Sequence, residues 1–415
     1  MPSLPGGRQP ATFVLVAVLA LGACGTVAPT TAPSATLGPS ESTRPASELY
    51  AEIRAAVVAI RGLQPTKAVD PVTIDDATLR KNLEAEFDAE NTPAELATAE
   101  DVLITLGLLQ PGTSLRATIL DFQAGQTAGY YSPDKDQLFV VNRTGRLGPS
   151  DLVTYAHEFT HQLQDQNIDL NSLGLDVADQ GDRSLARLAL IEGDAVSVQT
   201  TWMTANLTPE QLGELLSSAL DPKALEALRR APAYLRDTSL FPYQDGYAFV
   251  SRLLSNGGYA AVDAAFRDPP DSTEQILHPD LYLQRAPPIE VALPAGLAGT
   301  LGAGWSEAGR DTLGELILGI WLREGGASPA EARIAAAGWG GDRLVLLRGP
   351  NDQATVGLRT EWDTPQDAGE FADMATLVLD GMTGRPHAIA HANGTTSVAL
   401  AIGEGAAAVV DALSN

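Results

Sequence analysis

One cysteine, Cys24, stands in 415 residues, so the chain can close no internal disulfide, and after that position it offers no thiolate ligand or thiol nucleophile. Basic residues are also scarce. Against 52 Asp and Glu there are 27 Lys and Arg, a formal charge of −25. That sign excludes nucleic acid and anionic headgroups as electrostatically held partners. No apolar run approaches the roughly 20 residues that span a bilayer as a helix. Internal repeats, a nucleotide-binding glycine loop and a Gly-x-Ser-x-Gly elbow are all missing. Histidines number only five, which makes any pairing of them conspicuous.

The N-terminal residues 1–24 read as a processing signal. Arg8 supplies a positive start, Ala11 to Leu21 an apolar stretch, and Leu21-Gly22-Ala23-Cys24 is similar to a bacterial lipobox. Cys24 would then be the lipidated first residue of an exported protein, held to the cell envelope by its lipid chain. Gly25 follows it, and nothing there asks for inner-membrane retention. Residues 25–46 are Thr, Pro, Ser, Ala and Gly with few large apolar side chains, the composition of a flexible tether. From Ser47 onward the chain is long enough for one large core or two domains.

Chemistry concentrates between Ser150 and Gln166. His157 and His161 are four positions apart with Glu158 beside the first. On a helix such positions share a face, so both rings can bind one metal ion. Ser150 is the expected helix cap, with Asp151 in the first turn. Leu152, Ala156, Phe159 and Leu163 form an apolar stripe that sets the two imidazoles beside the buried face. In zinc hydrolases with the pattern H-E-x-x-H the two His are ligands and the Glu activates a water.

A catalytic zinc needs a third protein ligand. The expected one is Glu192, on a helical stretch where Leu185, Leu188, Glu192 and Ala195 share a face. A carboxylate on an apolar stripe is costly to bury unless a cation or hydrogen bonds satisfy it.

The string His157-Glu158-Phe159-Thr160-His161 with a downstream helical Glu resembles the gluzincin, thermolysin-like, metallopeptidases. Ala128 to Asn142 reads as two strands around a Ser-Pro-Asp turn, and in that clan an edge strand before the metal helix aligns extended substrates. The resemblance spans roughly residues 127–203. It implies one Zn2+ per chain held by His157, His161 and Glu192, with Glu158 as general base. Thermolysin has an Asp four residues after its ligand Glu; Val196 fills that slot here, and Ala195 matches the small residue used where the two helices pack closely. Asp194 and Asp165 are therefore the candidates to orient a ligand His.

Residues 47–126 read as a helical subdomain, with Leu49, Ile53, Val57 and Ile60 on one face behind a Ser47 cap and two more helices near 75–89 and 93–109. From Glu192 to about Gly338 the pattern stays mostly helical. A helix is expected after Phe241-Pro242, and another from Ser272, stopped by Pro279. Tyr243, Tyr247 and His278 are candidate donors to a developing oxyanion. Their strings, and Gly338 to Arg343, resemble motifs of uncharacterised bacterial H-E-x-x-H proteins, a likeness that brings no activity with it. Residues 342–415 change character to strand, strand, helix, strand, strand, helix, with Asn393-Gly394 as a hairpin turn. His387 and His391 share a strand face there without a third ligand at a recognisable spacing.

The expectation is an α+β, predominantly helical protein with five segments. These are a signal (1–24), a tether (25–46), a helical subdomain (47–126), a zincin-like metal domain with a small hairpin (127–341) and an α+β module (342–415). The expected function is that of an exported zinc hydrolase whose substrate is a peptide or protein. The alternative is a zincin-fold lipoprotein that binds a peptide or partner without cleaving it. A purely structural zinc would need a fourth protein ligand, and none presents itself.

Overall fold

The protein is described from a computed structural model covering residues 13–16, 44–143, 147–219 and 222–415. Cys24 and the expected tether up to residue 43 lie outside the described residues. Phe13–Val16, inside the expected signal, forms strand β1. Helix α1 (Ala46–Arg61) buries Leu49, Tyr50, Ile53 and Val57 on one face and ends at Gly62 in the left-handed region. Its N-cap is Pro45, so Ser47, the expected cap, sits inside the first turn. A short strand β2 (Val72–Ile74) leads to α2 (Asp76–Glu90), capped by Asp75, and α3 (Pro93–Leu106), closed by a Thr92/Glu95 capping box. The next helix, α4 (Leu115–Gln126), is capped by Ser114; it falls in the subdomain expected to be helical, though no helix was assigned to that stretch.

β3 (Thr127–Ser132) and β4 (Gln137–Val141) form the hairpin around Pro133–Lys135. Their sheet runs β1–β3–β4–β2, with β1 antiparallel to β3 and β2 parallel to β4. The hairpin lies on α5 (Pro149–Ile168), which is buried along most of its length. Contact is close at Gly129, where a Cβ would lie 2.7 Å from Thr154 Cγ2 and 3.5 Å from Glu158 Cγ. α5 starts one residue before Ser150, because Gly148 is the N-cap and its amide donates to Asp151 at 2.7 Å.

α6 (Gly181–Asn206) packs on α5 and is followed by α7 (Pro209–Ala219), α8 (Pro222–Arg230) and the long α9 (Ala233–Arg267). Pro242, expected just before a helix, lies inside α9, whose packing outweighs the lost hydrogen bond; the helix bends instead at Gly257–Gly258. Where α6 meets α9 the backbones touch. A Cβ on Gly193 would lie 2.1 Å from the Gly246 carbonyl oxygen, and one on Gly246 2.2 Å from that of Ala189. Gly193 is the residue that permits this approach of α6 to α9.

After α10 (Thr273–Leu277) and α11 (Pro279–Leu283) comes β5 (Ser306–Asp311), then α12 (Gly314–Glu324) and α13 (Pro329–Ala336). The C-terminal run is β6 (Trp339–Arg348), β7 (Ala354–Trp362), α14 (Pro365–Gly381), β8 (His387–His391), β9 (Ser397–Gly403) and α15 (Ala406–Leu413). Strand, strand, helix, strand, strand, helix is the expected order. β5, ahead of the expected boundary at 342, joins the same antiparallel sheet, ordered β5–β6–β7–β9–β8. Alternation sorts its side chains: Leu344, Leu346, Val356 and Leu358 face the core with α14, while Val345, Leu347, Ala399 and Ala401 pack under α15. The architecture is α+β and predominantly helical. Among the described residues no helix is long and apolar enough to cross a membrane.

Gly193→Ala should cost about 1–3 kcal/mol or more by overpacking the α6–α9 contact. In the same denaturant titrations Gly213→Ala, a helical position with open space around its Cα, should be neutral or stabilising. Equal stability of Gly193→Ala and the parent chain would show that the backbones do not touch.

Candidate metal centre

α5 and α6 cross so that the two expected His and the expected Glu meet. His161 Nε2 lies 2.9 Å from His157 Nε2, and Glu192 Oε2 lies 3.1 Å from His157 Nε2 and 3.3 Å from His161 Nε2. All three residues are buried. Among the described residues this is the one group of three His, Cys, Asp or Glu whose ligand atoms lie within 4.8 Å of one another. For bonds of 2.0–2.1 Å the edge of a zinc tetrahedron is about 3.3 Å, close to the separations seen.

Each ring is held by its other nitrogen. His157 Nδ1 is 2.8 Å from Gln199 Oε1, and His161 Nδ1 is 2.8 Å from Gln164 Oε1. The amide of Gln164 cannot be turned round, because its Nε2 donates to Asp194 Oδ2 at 2.9 Å and to the Ile191 carbonyl at 3.0 Å. His161 Nδ1 therefore carries a hydrogen, and His157 Nδ1 does so with Gln199 Oε1 turned toward it, which leaves both Nε2 lone pairs for a metal once His161 gives up its second proton. Behind Gln164 stands a buried ion pair. Arg61, from the end of α1, donates through Nε to Asp194 Oδ2 at 2.8 Å and through a terminal nitrogen to Asp263 on α9 at 2.7 Å.

Glu192 has a further partner in Tyr243, whose hydroxyl donates to Oε1 at 3.2 Å. The α6–α9 contact at Gly193 and Gly246 explains the meeting, since Tyr243 lies about one turn before Gly246 on α9 and Glu192 is next to Gly193. Glu158 differs from every other member. It is fully buried, and neither carboxylate oxygen has a partner at hydrogen-bond geometry, although the Tyr131 backbone amide on β3 favours its charged form. Such an atom is expensive to leave unsatisfied, and a water or substrate polarised by a cation at the neighbouring ligands would satisfy it. The donor set and the unpartnered Glu158 thus fit a zinc ion.

The remaining candidates lie in other places. Asp194 acts through Gln164 and touches neither imidazole; its Oδ1 has no hydrogen-bond partner. Asp165 accepts from the Tyr131 hydroxyl at 2.9 Å and from the Leu170 amide, away from the ligands. His278 pairs with Glu315 at 2.9 Å, and neither belongs to the metal group. Tyr247 is partly buried and packs against the hydrophobic core. His387 and His391 bond to the carbonyls of Arg385 and Ser397 through Nδ1. Gln164, Gln199 and Arg61 are the functional residues that sequence reasoning missed. Helical spacing could have found the two Gln: Gln164 follows His161 by three, and Gln199 follows Glu192 by seven on the same face.

With this geometry in place, comparison with known proteins adds one match. Residues 301–412 match a family model described as a domain of unknown function, DUF8575. That part holds the five-stranded sheet and none of the metal-centre residues. No curated protein and no solved structure matches the chain.

Electrostatics fix the protons of the centre. Burial disfavours charge on His161, but Glu192 and Glu158 outweigh it and hold its pKa up at about 9. Burial lowers His157, the neutral partner of the pair. Burial also opposes ionisation of Glu192, and the two imidazoles overcome it, holding the carboxyl down at about 2. Burial pushes Glu158 up to about 8.

Two outcomes follow from these contacts. A metal must displace the His161 proton, whose stabilisation of the metal-free protein is complete below 6.5 and lost as pH rises through about 9. Zinc affinity, and the rise in Tm that zinc causes, should therefore grow across that window and level off above it; a flat profile would mean that His161 is not a ligand. Gln199→Ala frees His157 and should weaken zinc binding about 10–100-fold, measured by competition with a chelating dye.

Proposed function

We propose that this protein is an exported, lipid-anchored zinc hydrolase with a gluzincin-like core, acting on peptide bonds. The observation that carries the reading is the pairing of three converging ligand atoms with a buried Glu158 whose two oxygens have no partner. A structural site would have no use for such a carboxylate, and among the described residues no fourth His, Cys, Asp or Glu joins the group.

His157, His161 and Glu192 would hold the zinc, which when bound supplies Lewis acidity toward a carbonyl oxygen and a water. The chain's own residues do the rest. Glu158 takes a proton from the attacking water and returns it to the leaving amine, a role suited to a carboxyl whose burial places its pKa near neutrality. Gln164 and Gln199 keep the rings in one tautomer, and Tyr243 fixes the free oxygen of Glu192. Tyr243 is thus a positioning group.

A peptide substrate is favoured by β3. This strand runs past Glu158 at Gly129, and its outer edge pairs with β1, residues 13–16, within the expected signal. Removal of that signal on lipidation at Cys24 would leave the edge free for an extended chain to add as a strand.

Glu158→Gln should keep one zinc per chain and lose about 100-fold or more of peptide-library hydrolysis. Turnover retained in Glu158→Gln would overturn the mechanism. Zinc binding without any cleavage by the parent chain would favour the non-catalytic peptide-binding lipoprotein.

A further inference from the structure

Apart from the metal centre, a cleft of about 490 Å³ opens where the α10–α11 junction meets the C-terminal sheet domain. Its polar lining is Glu274, His278 and Asp280 from the helical side and Asp363 from the end of β7, and its apolar wall is Leu277 and Leu281. Lysine and arginine are absent from that lining. Glu274 is only 7% exposed, yet it lines the cleft. Its carboxylate takes part in no hydrogen bond and no ion pair, and the charges around it, Glu315, Asp363 and Asp182, are all of its own sign. Next to it Glu315, also buried, spends one oxygen on His278 at 2.9 Å and leaves the other without a partner. A carboxylate with no protein partner, set among like charges and open to a cleft, favours a cation there.

We propose that this cleft binds an alkyl cation of the kind a basic side chain carries, the alkylguanidinium of arginine or the alkylammonium of lysine. A bare divalent ion fits less well, because here no three His, Asp or Glu ligand atoms come within 4.8 Å of one another. An alkyl stem, by contrast, finds Leu277 and Leu281 on its way to Glu274. The mouth is open to solvent, so the rest of the ligand stays outside. Burial and the surrounding carboxylates push Glu274 up to about 8, the state a bound cation would reverse. Asp363 and Gly338 belong to the part matched by the domain of unknown function, and Glu274 to Leu281 do not. The site therefore exists only where the two parts join.

The test uses Nα-acetyl-arginine amide as probe, with the citrulline analogue as its neutral isostere. Titrations of the full chain are read by calorimetry and by the imidazole NMR signals, of which a chain with five His gives few. The arginine probe should bind and shift the His278 signal, and the citrulline probe should bind at least about tenfold more weakly. Glu274→Gln and, separately, the exposed Asp363→Asn should each weaken the arginine probe by a similar factor, with unchanged melting behaviour showing that the fold is intact. His157→Ala should leave it unaltered. Equal binding of the two probes, no binding at all, or unchanged binding in Glu274→Gln would overturn the proposal. So would displacement of the probe by stoichiometric Ca2+ or Mg2+, which would make the ligand a metal ion.

Discussion

Four ionisable groups, His157, Glu158, His161 and Glu192, are shut inside the crossing of α5 and α6, and the rest of the fold answers to that fact. Each buried ion costs several kcal/mol unless partners surround it. α1 delivers Arg61 to Asp194, α9 delivers Asp263 to Arg61 and Tyr243 to Glu192, and α5 and α6 supply Gln164 and Gln199 themselves. Such a network is stable only when nearly complete, because a half-satisfied one is worse than an apolar core. Glu158 is the one member left outside it, and that exception marks where an external group belongs.

Close backbone contact is the geometric means. Gly193 sits next to Glu192 and touches Gly246, so α9 comes near enough for a phenol to reach the carboxylate. Gly129 does the same on the other side, letting β3 lie on α5 beside Glu158. At both places a side chain would hold the elements apart. The glycines thus determine which groups can meet, although none carries any chemistry.

Much of this was legible in the chain itself. The spacing of His157 and His161 gave one helix face, the apolar stripe around Glu192 gave the helix that packs on it, and the alternating segments from residue 342 gave the C-terminal strand and helix order, with the first strand beginning earlier, at Trp339. What escaped had a common physical character. Arg61 reaches Asp194 across 133 positions, and no local pattern encodes a contact that only tertiary packing creates. Pro242 signals a helix start by local rules, yet the packing of α9 overrides it. β5, Ser306 to Asp311, carries no apolar alternation, because it lies at the sheet edge with most of its residues exposed or half-buried. His278 was weighed as a catalytic donor from its residue type, and only its place in space, against Glu315, assigns it elsewhere.

The C-terminal domain bears on the candidate metal centre through the start of α6. That helix has no side-chain cap of its own at Gln180. Its first amides are taken instead by the C-terminal part, Gly181 donating to Asp311 Oδ1 at 2.8 Å and Asp182 to the Thr312 carbonyl at 3.2 Å. Arg343 grips the Asp179 carbonyl at 2.7 Å. Asp342 holds the Leu313 and Gly314 amides and the Trp339 indole, so the N-terminus of α12 is built by the strand that follows it. Gly314 in turn leaves room for Asp182, whose Oδ1 would lie 1.7 Å from a Cβ there. A helix end needs partners for its free amides, and here those partners come from residues 311 and 312. Glu192 lies about three turns further along the same rigid helix. Its direction is therefore set at one end by residues 311 and 312 and at the other by α5, so the matched part, which holds none of the three candidate ligands, helps to aim Glu192.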